Sequence, residues 1–274
     1  MTDRSAKPPA SNPIAEAVSL RDRGLQATAE EAIRHKQVRL AFQPVVQAHA
    51  PEHIAFHEAF VRVLDPTGRV LPAAEFMPAV EATETGRLLD CIALDKALTQ
   101  LRRTPDLRLA VNMSAHSIGY ARWRRTLERA IRSDPTAGER LILEINEASA
   151  MRVPDIAGAF MSEMQSTGVA FALDDFGASH SELRNLRTFP VDIVKIDGSF
   201  VRGLATDADN QAMVRALHAV ARAFDLFTVA ESVETAADAA FAADLGIDCL
   251  QGYFFAAPTM RPPWSAPRQA HRRA

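Results

Sequence analysis

The chain has 274 residues, 47% of them hydrophobic and 24% charged, which is material for one or two domains with a sizeable core. A net charge of -3 argues against broad electrostatic binding of DNA or RNA, and no stretch approaches the roughly 18 apolar residues that signal a membrane span. Two cysteines, Cys91 and Cys249, sit in apolar surroundings without CxxC spacing, so neither a disulfide framework nor a thiolate metal site is expected and the cytoplasm is the expected location.

Residues 1–13 are polar and proline-bearing, and are expected to be disordered. Ile14, Val18, Leu20, Leu25, Ala29, Ala32 and Ile33 then recur at helical spacing, giving one or two amphipathic helices with a break near Gly24. This segment could pack under a barrel, form a homodimer contact or hold a signalling partner, and the sequence leaves all three open. The chain divides into this start (1–36), a body (37–260) and a loose basic tail (261–274).

In the body, apolar runs predict strands at 40–46 and 54–64, joined as a hairpin by a tight connection at 51–53. Helical patterns follow at 73–82 and 86–103. Strands at 107–113, 141–145, 169–173, 191–196, 227–230 and 249–254 then alternate with helices at 122–133, 154–167, 181–186, 208–224 and 236–245. Eight strands alternating with helices predict an α/β fold of the (β/α)8 TIM-like barrel type. The leading hairpin makes one strand antiparallel to the rest.

Polar residues stand where most of the predicted strands end. Glu58 marks the second strand, Asn112 the third, and Glu144 the fourth, with Glu147 beyond it. Asp174 and Asp175 end the fifth, Lys195 and Asp197 the sixth, Glu231 the seventh and Gln251 the eighth. From Glu58 to Gln251 is 193 residues in six steps, and roughly 32 residues per step is the size of one βα unit. A closed parallel barrel gathers such ends at one face, where these folds keep their chemistry. Carboxylates converging there would repel unless a cation sat among them, and oxygen donors without cysteine or histidine suit Mg2+ or Mn2+. Two such ions can activate water against a phosphodiester. Lys195 would orient that water or screen the phosphate, and Arg62 is the nearest phosphate clamp. Asp-Phe-Gly also occurs in protein kinases, but no His-Arg-Asp loop or glycine-rich loop accompanies it here.

Taken together these stretches resemble the EAL-domain cyclic-di-GMP phosphodiesterases. The resemblance rests on Phe42-Gln43-Pro44-Val45-Val46, His57-Glu58-Ala59-Phe60-Val61-Arg62, Val111-Asn112-Met113-Ser114 and Leu143-Glu144-Ile145-Asn146-Glu147. It continues through Ala172-Leu173-Asp174-Asp175-Phe176-Gly177, Val194-Lys195-Ile196-Asp197, Ala230-Glu231-Ser232-Val233-Glu234 and Leu250-Gln251-Gly252-Tyr253. It implies a barrel with one antiparallel strand and hydrolysis of cyclic di-GMP to linear pGpG with Mg2+ or Mn2+. It also implies metal ligands at Glu58, Asn112, Glu144, Asp174 and Asp175. The catalytic set would be Lys195, Glu231 and Glu147, the last steadying the loop after Asp175, with Gln43, Arg62, Asp197 and Gln251 holding the dinucleotide.

Four places depart from the family pattern. Phe60 stands for the signature leucine, Val63 for a tryptophan and Ser232 for a glycine. Ala178-Ser179-His180-Ser181-Glu182 replaces Thr-Gly-Tyr-Ser-Ser, removing a hydroxyl and a glycine and adding a charge. A domain that binds cyclic di-GMP without turnover, or one that serves only as a protein-interaction module, is therefore the alternative to an enzyme. Glu58→Ala and Lys195→Ala are expected to abolish hydrolysis and leave the fold intact.

Overall fold

The structure, a computed structural model, describes residues 13–178 and 183–265. The expectations for residues 1–12, for Ser179 to Glu182 and for the tail from Ala266 onward lie outside the described residues.

One helix, α1 (Pro13–Arg34), opens the fold without a break at Gly24. A glycine in a helix interior costs only about 1 kcal/mol, which the rest of the helix offsets. Its C-terminal half is anchored by the buried Ala29 and Ala32, whereas residues 15–24 are exposed. Next come β1 (Val38–Gln47) and β2 (Ala50–Leu64), paired antiparallel over their whole length. The connection between them is at Ala48 and His49, not at 51–53, and Pro51 lies inside β2. A short β3 (Val70–Pro72), unforeseen in the sequence, adds to the far end of β2. Then follow α2 (Ala73–Val80), α3 (Glu84–Arg103), β4 (Leu109–Asn112) and α4 (Ala121–Ser133).

The remaining units are β5 (Leu141–Asn146), α5 (Glu147–Ala150), α6 (Pro154–Gln165), β6 (Ala170–Phe176) and β7 (Ile193–Ile196). After these come α7 (Gly198–Val201), α8 (Ala208–Ala223), β8 (Phe227–Ala230), α9 (Ala236–Asp244) and β9 (Cys249–Leu250). The strand order β1-β9-β8-β7-β6-β5-β4-β2, with β1 pairing β2, closes an eight-stranded barrel and leaves β3 outside. Neighbours from β2 and β4 round to β9 are parallel, and β1 alone is antiparallel to both its neighbours, as the hairpin predicted. Pro44 sits inside β1, on the stretch where β1 has no strand partner on its β9 side, so its missing N–H goes unneeded.

Inside the barrel lies one apolar layer: Val45, Phe56, Ala110, Ile142, Ala172, Ile193 and Val229, with Cys249 against it. Each of the eight strands contributes one of these residues. Because side chains alternate across a strand, the residue two positions further toward the mouth also faces inward. That rule selects Gln43, Glu58, Asn112, Glu144, Asp174, Lys195, Glu231 and Gln251. On β1 the step runs backward, from Val45 to Gln43, since that strand is reversed. The barrel thus carries an apolar floor with a polar layer above it.

No helix among the described residues is long and apolar enough to cross a membrane. The tail, expected from the sequence to be loose from 261 onward, is docked as far as Ser265. Phe42 and Thr259 exchange two backbone hydrogen bonds, and the Trp264 ring packs edge-on against Phe42 and His57 at 5.2 and 4.6 Å.

Candidate active site at the mouth of the barrel

Lys195 is the hub of the polar layer. Its ammonium lies 2.9 Å from Glu58, 3.0 Å from Glu144, 3.0 Å from Asp174 and 2.7 Å from Glu231. The lysine, Glu58 and Glu144 are at most 2% exposed. Three N–H donors cannot serve four carboxylates fully, so part of the contact is charge alone. Four carboxylates against one ammonium leave a formal excess of three negative charges in a buried site.

That excess shows in the acidities. Burial, then the neighbouring Glu58 and Asp174, raise Glu144 well above the ordinary carboxylate range against the pull of Lys195. Burial and then Asp174 do the same to Glu231. Burial raises Glu58 too, but Lys195 and hydrogen bonds outweigh it, so Glu58 is held below its ordinary value. Burial also pulls Lys195 down, and the surrounding carboxylates overcome it, so the lysine stays charged.

Glu58 is not at a strand end, as the sequence suggested; it lies mid-strand, opposite Gln43, and β2 continues six residues past it to Leu64. Its carboxylate accepts from Asn112 Nδ2 at 2.6 Å and from Gln251 Nε2 at 2.8 Å as well as from Lys195. Gln251 also donates to Gln43 Oε1 at 3.1 Å, and Gln43 Nε2 donates to the Ala256 carbonyl at 2.9 Å. The β1–β2 hairpin stands above the mouth as a wall. Arg62 is on the same face of β2 as Glu58, roughly 13 Å further along. Its guanidinium donates to the Val61 carbonyl, lies 5.4 Å from the Phe60 ring centre and is half-buried, with Tyr253 near enough to bear on its charge.

Asp174 and Asp175 face the same space although they are adjacent. In a regular strand they would point to opposite faces. The β6–β7 register breaks between Leu173 and Phe176, and Asp175 takes a left-handed φ of 55°. This bulge re-aims Asp175. Asp174, Asp175 and Glu231 can then each offer an oxygen within 4.8 Å of the others. Burial, Asp174 and Asp197 push Asp175 up to about 6. Gly177 follows at φ 88°, a conformation that L side chains rarely adopt, and its N–H donates to Glu147 Oε2 at 3.1 Å. Glu147 thus grips the start of the loop after Asp175. Asp197 caps α7 by accepting from Ser199 N at 2.9 Å, close beside Asp175.

Two residues escaped sequence reasoning. Asn146 donates to Asp175 Oδ2 at 2.6 Å and caps α5. It is two positions beyond Glu144, so the alternation that picked out the glutamate points to it as well. Asp90, buried on α3, accepts from Ser114 N at 3.0 Å and Ser117 Oγ at 2.6 Å, holding the loop that follows Asn112. No spacing signal links α3 to that loop. Burial pushes Asp90 up to about 7, against the two hydrogen bonds. The folded chain therefore binds a proton that the unfolded chain releases above pH 3.8, and this group's contribution to stability is lost as pH rises from there to about 7. Asp90→Asn is expected to flatten that loss, seen as a smaller difference between melting temperatures on either side of the window.

A second strained position lies on this rim. Ser232 adopts φ 54°, so the departure from glycine noted in the sequence does place a side chain in the left-handed region. Ser232→Gly is expected to stabilise the fold by about 1 kcal/mol, a rise of roughly 2–4 °C in a thermal melt. No rise would mean that the weak contact from Arg202, 3.3 Å from Ser232 Oγ, matters more than the strain.

Whether a divalent cation suits this site can be tested on its donors. Glu144 Oε1 and Gln251 Oε1 are buried with no hydrogen-bond partner. Orphaned buried oxygens beside excess negative charge are what a hard cation relieves, and every candidate donor is oxygen. The residues fit such an ion.

The EAL domain family matches residues 26–258. The bifunctional diguanylate cyclase/cyclic di-GMP phosphodiesterase MucR of Pseudomonas aeruginosa is 33% identical over 233 residues, 83% of this chain and 34% of that protein. The cyclic di-GMP phosphodiesterase PdeB of Shewanella oneidensis is 29% identical over 232 residues, 83% of this chain and 27% of that one. The chain thus spans about a third or less of these two curated relatives. The solved PaMucR phosphodiesterase in complex with c-di-GMP superimposes with a TM-score of 0.79 at 32% identity, covering 86% of this chain and 97% of that one. The FimX EAL domain from Pseudomonas aeruginosa bound to c-di-GMP gives 0.78 at 26% identity, covering 86% and 96%. With the barrel, the ordered motifs and these matches in agreement, the chain belongs to the EAL domain family.

Proposed function

We propose that this chain hydrolyses cyclic di-GMP to linear pGpG with Mg2+ or Mn2+, in the cytoplasm. The observation that carries this reading is the layer of oxygen donors packed round Lys195 above an apolar floor. Glu58, Asn112, Glu144 and Asp174 would hold one cation and Asp175 a second. When bound, such ions neutralise the excess charge and polarise the scissile phosphate.

The protein groups do the rest. Arg62 on the wall and the Gln43–Gln251 pair at the mouth would hold the dinucleotide, with the exposed Tyr253 beside Arg62. Asp197 would bound the pocket next to Asp175. Lys195 orients the attacking water. Glu231, whose basicity is raised by burial and by Asp174, takes the water's proton as oxygen bonds to phosphorus. The bond from phosphorus to the ribose O3′ breaks, O3′ gains a proton from solvent, and a 5′-phosphate remains. Glu147 keeps the loop after Asp175 in place through Gly177.

Incubation of cyclic di-GMP with the protein and Mn2+ or Mg2+ is expected to give pGpG, with none formed in EDTA or Ca2+. The replaced loop that starts at Ala178 favours one other reading, a sensor that binds without turnover. Tight binding with no product under every metal would establish that sensor, and the absence of both binding and product would leave an interaction module. The exposed half of α1, residues 15–24, is where a second copy or a signalling partner would attach.

A further inference from the structure

On the outer wall of the barrel, α3 and α4 form a groove that reaches the end of α1 and the docked tail. It comprises three adjoining cavities of about 640, 370 and 210 Å³, all lined by Asp95. Five cations, Lys36, Lys96, Arg122, Arg125 and Arg129, face that single acid in the largest. Arg39 and Arg103 carry the positive surface along the second cavity and Arg102 along the third.

Among the described residues none of these cations makes an ion pair with a carboxylate, though Arg122 lies near enough to Glu84 to bear on its charge. The arginines that do meet carboxylates are others, such as Arg87 with Glu84, Arg140 with Asp134 and Arg124 with Glu163. Helix α4 makes the contrast within a few residues. Arg122, Arg125 and Arg129, spaced three and four apart, share one stripe without an ion pair, while Arg124 is paired on another. Like charges at this spacing repel, and a chain of net charge -3 has no general need of a basic face.

We propose that this groove binds an acidic segment of a partner protein, one that interleaves carboxylates with apolar side chains. Arginines in a row offer forked donors that match carboxylates, and the half-buried Ile33 and Ile92 in the same cavity offer apolar contact. The shape argues against the other polyanions. The cations of the largest cavity line a recess between α3 and α4, not a flat face such as a membrane would cover. No aromatic side chain lines the largest cavity, so nucleic-acid bases find no stacking platform there. The occupant would sit on the helix whose Asp90 holds the loop behind Asn112. Binding here does not depend on hydrolysis at the mouth.

The test is fluorescence anisotropy of the full chain with a labelled 16-residue peptide of repeated Glu-Glu-Leu-Glu. Saturable binding that weakens with salt is expected. Arg125→Glu with Arg129→Glu should weaken it by about tenfold or more, and Lys36→Glu, at the α1 end of the largest cavity, should weaken it independently. Arg21→Glu with Arg23→Glu, on the exposed half of α1, should leave it unchanged. The variants alter exposed side chains, so an unchanged melting temperature verifies their folding. No saturable binding, equal loss in the α1 control, or tighter binding of a 16-mer oligothymidylate or of phosphatidylserine vesicles would each overturn the proposal.

Discussion

Lys195→Ala is expected to abolish hydrolysis and, without a divalent cation, to destabilise the fold by about 3–5 kcal/mol, the range for removing one partner of a buried ion pair. In a chain of this size that is a fall in melting temperature of roughly 10 °C. The sequence alone suggested that the fold would be untouched. The structure changes that expectation, because among the described residues the ammonium is the one cation in contact with Glu58, Glu144, Asp174 and Glu231. The pH dependence has a definite sign. Glu144 and Glu231 already hold their protons above the ordinary 4.5, so the folded chain binds more protons than the unfolded one above that pH. Their contribution to stability falls as pH rises, and removing the lysine extends the fall upward. The metal-free variant should therefore melt higher at about pH 5.5 than at about pH 8, and Mn2+ should restore stability without restoring turnover. A variant as stable as the parent in EDTA would show that the carboxylates relax apart at little cost.

Glu58→Ala should lower hydrolysis by at least ~10²-fold, since removing even a supporting group of a metal site costs roughly 10–100-fold. Here the missing group is a proposed ligand as well as the acceptor for Asn112, Gln251 and Lys195. Mn2+ affinity by titration calorimetry should drop in step. Stability in EDTA is the discriminating measurement. Removing Glu58 takes one charge out of an over-acidic site while leaving donors unpaired, so its cost should be smaller than that of Lys195→Ala. The reverse order would mean that hydrogen bonding, and not charge, governs the cluster. Unchanged turnover would remove Glu58 from the site altogether.

The site was legible in the sequence because polar residues close most of the apolar runs, as in Ala110-Val111 before Asn112, Leu141-Ile142-Leu143 before Glu144 and Val229-Ala230 before Glu231. The structure supplies the reason: Ala110, Ile142 and Val229 face the barrel interior, so the residue two positions on faces it too. Strand ends were harder to read. Glu58 reads as the close of the second strand alongside the other polar residues, although the apolar pattern itself runs on to 64, and β2 does continue to Leu64 by pairing with β1 and β3. Adjacent acids at 174 and 175 were visible, but not the bulge and the φ of 55° that turn both toward the mouth. Asp90 and Asn146 were missed for different reasons. One acts across a helix–loop contact that no local period encodes, and the other was hidden among stronger candidates in the same motif.

The seam between β9 and β1 consists of two register pairs, against ten between β1 and β2, and the Phe42–Thr259 bridge beyond it comes from the chain's last described stretch. The cylinder is therefore stapled shut from outside by residues that belong to no strand. Removing them, by a stop before Thr259 or by proteolysis there, would free the edge of β1 and let Gln43 swing away from Gln251. Amide exchange should begin at this join, making the stretch around Thr259 a latch on the barrel mouth, to which it contributes no carboxylate.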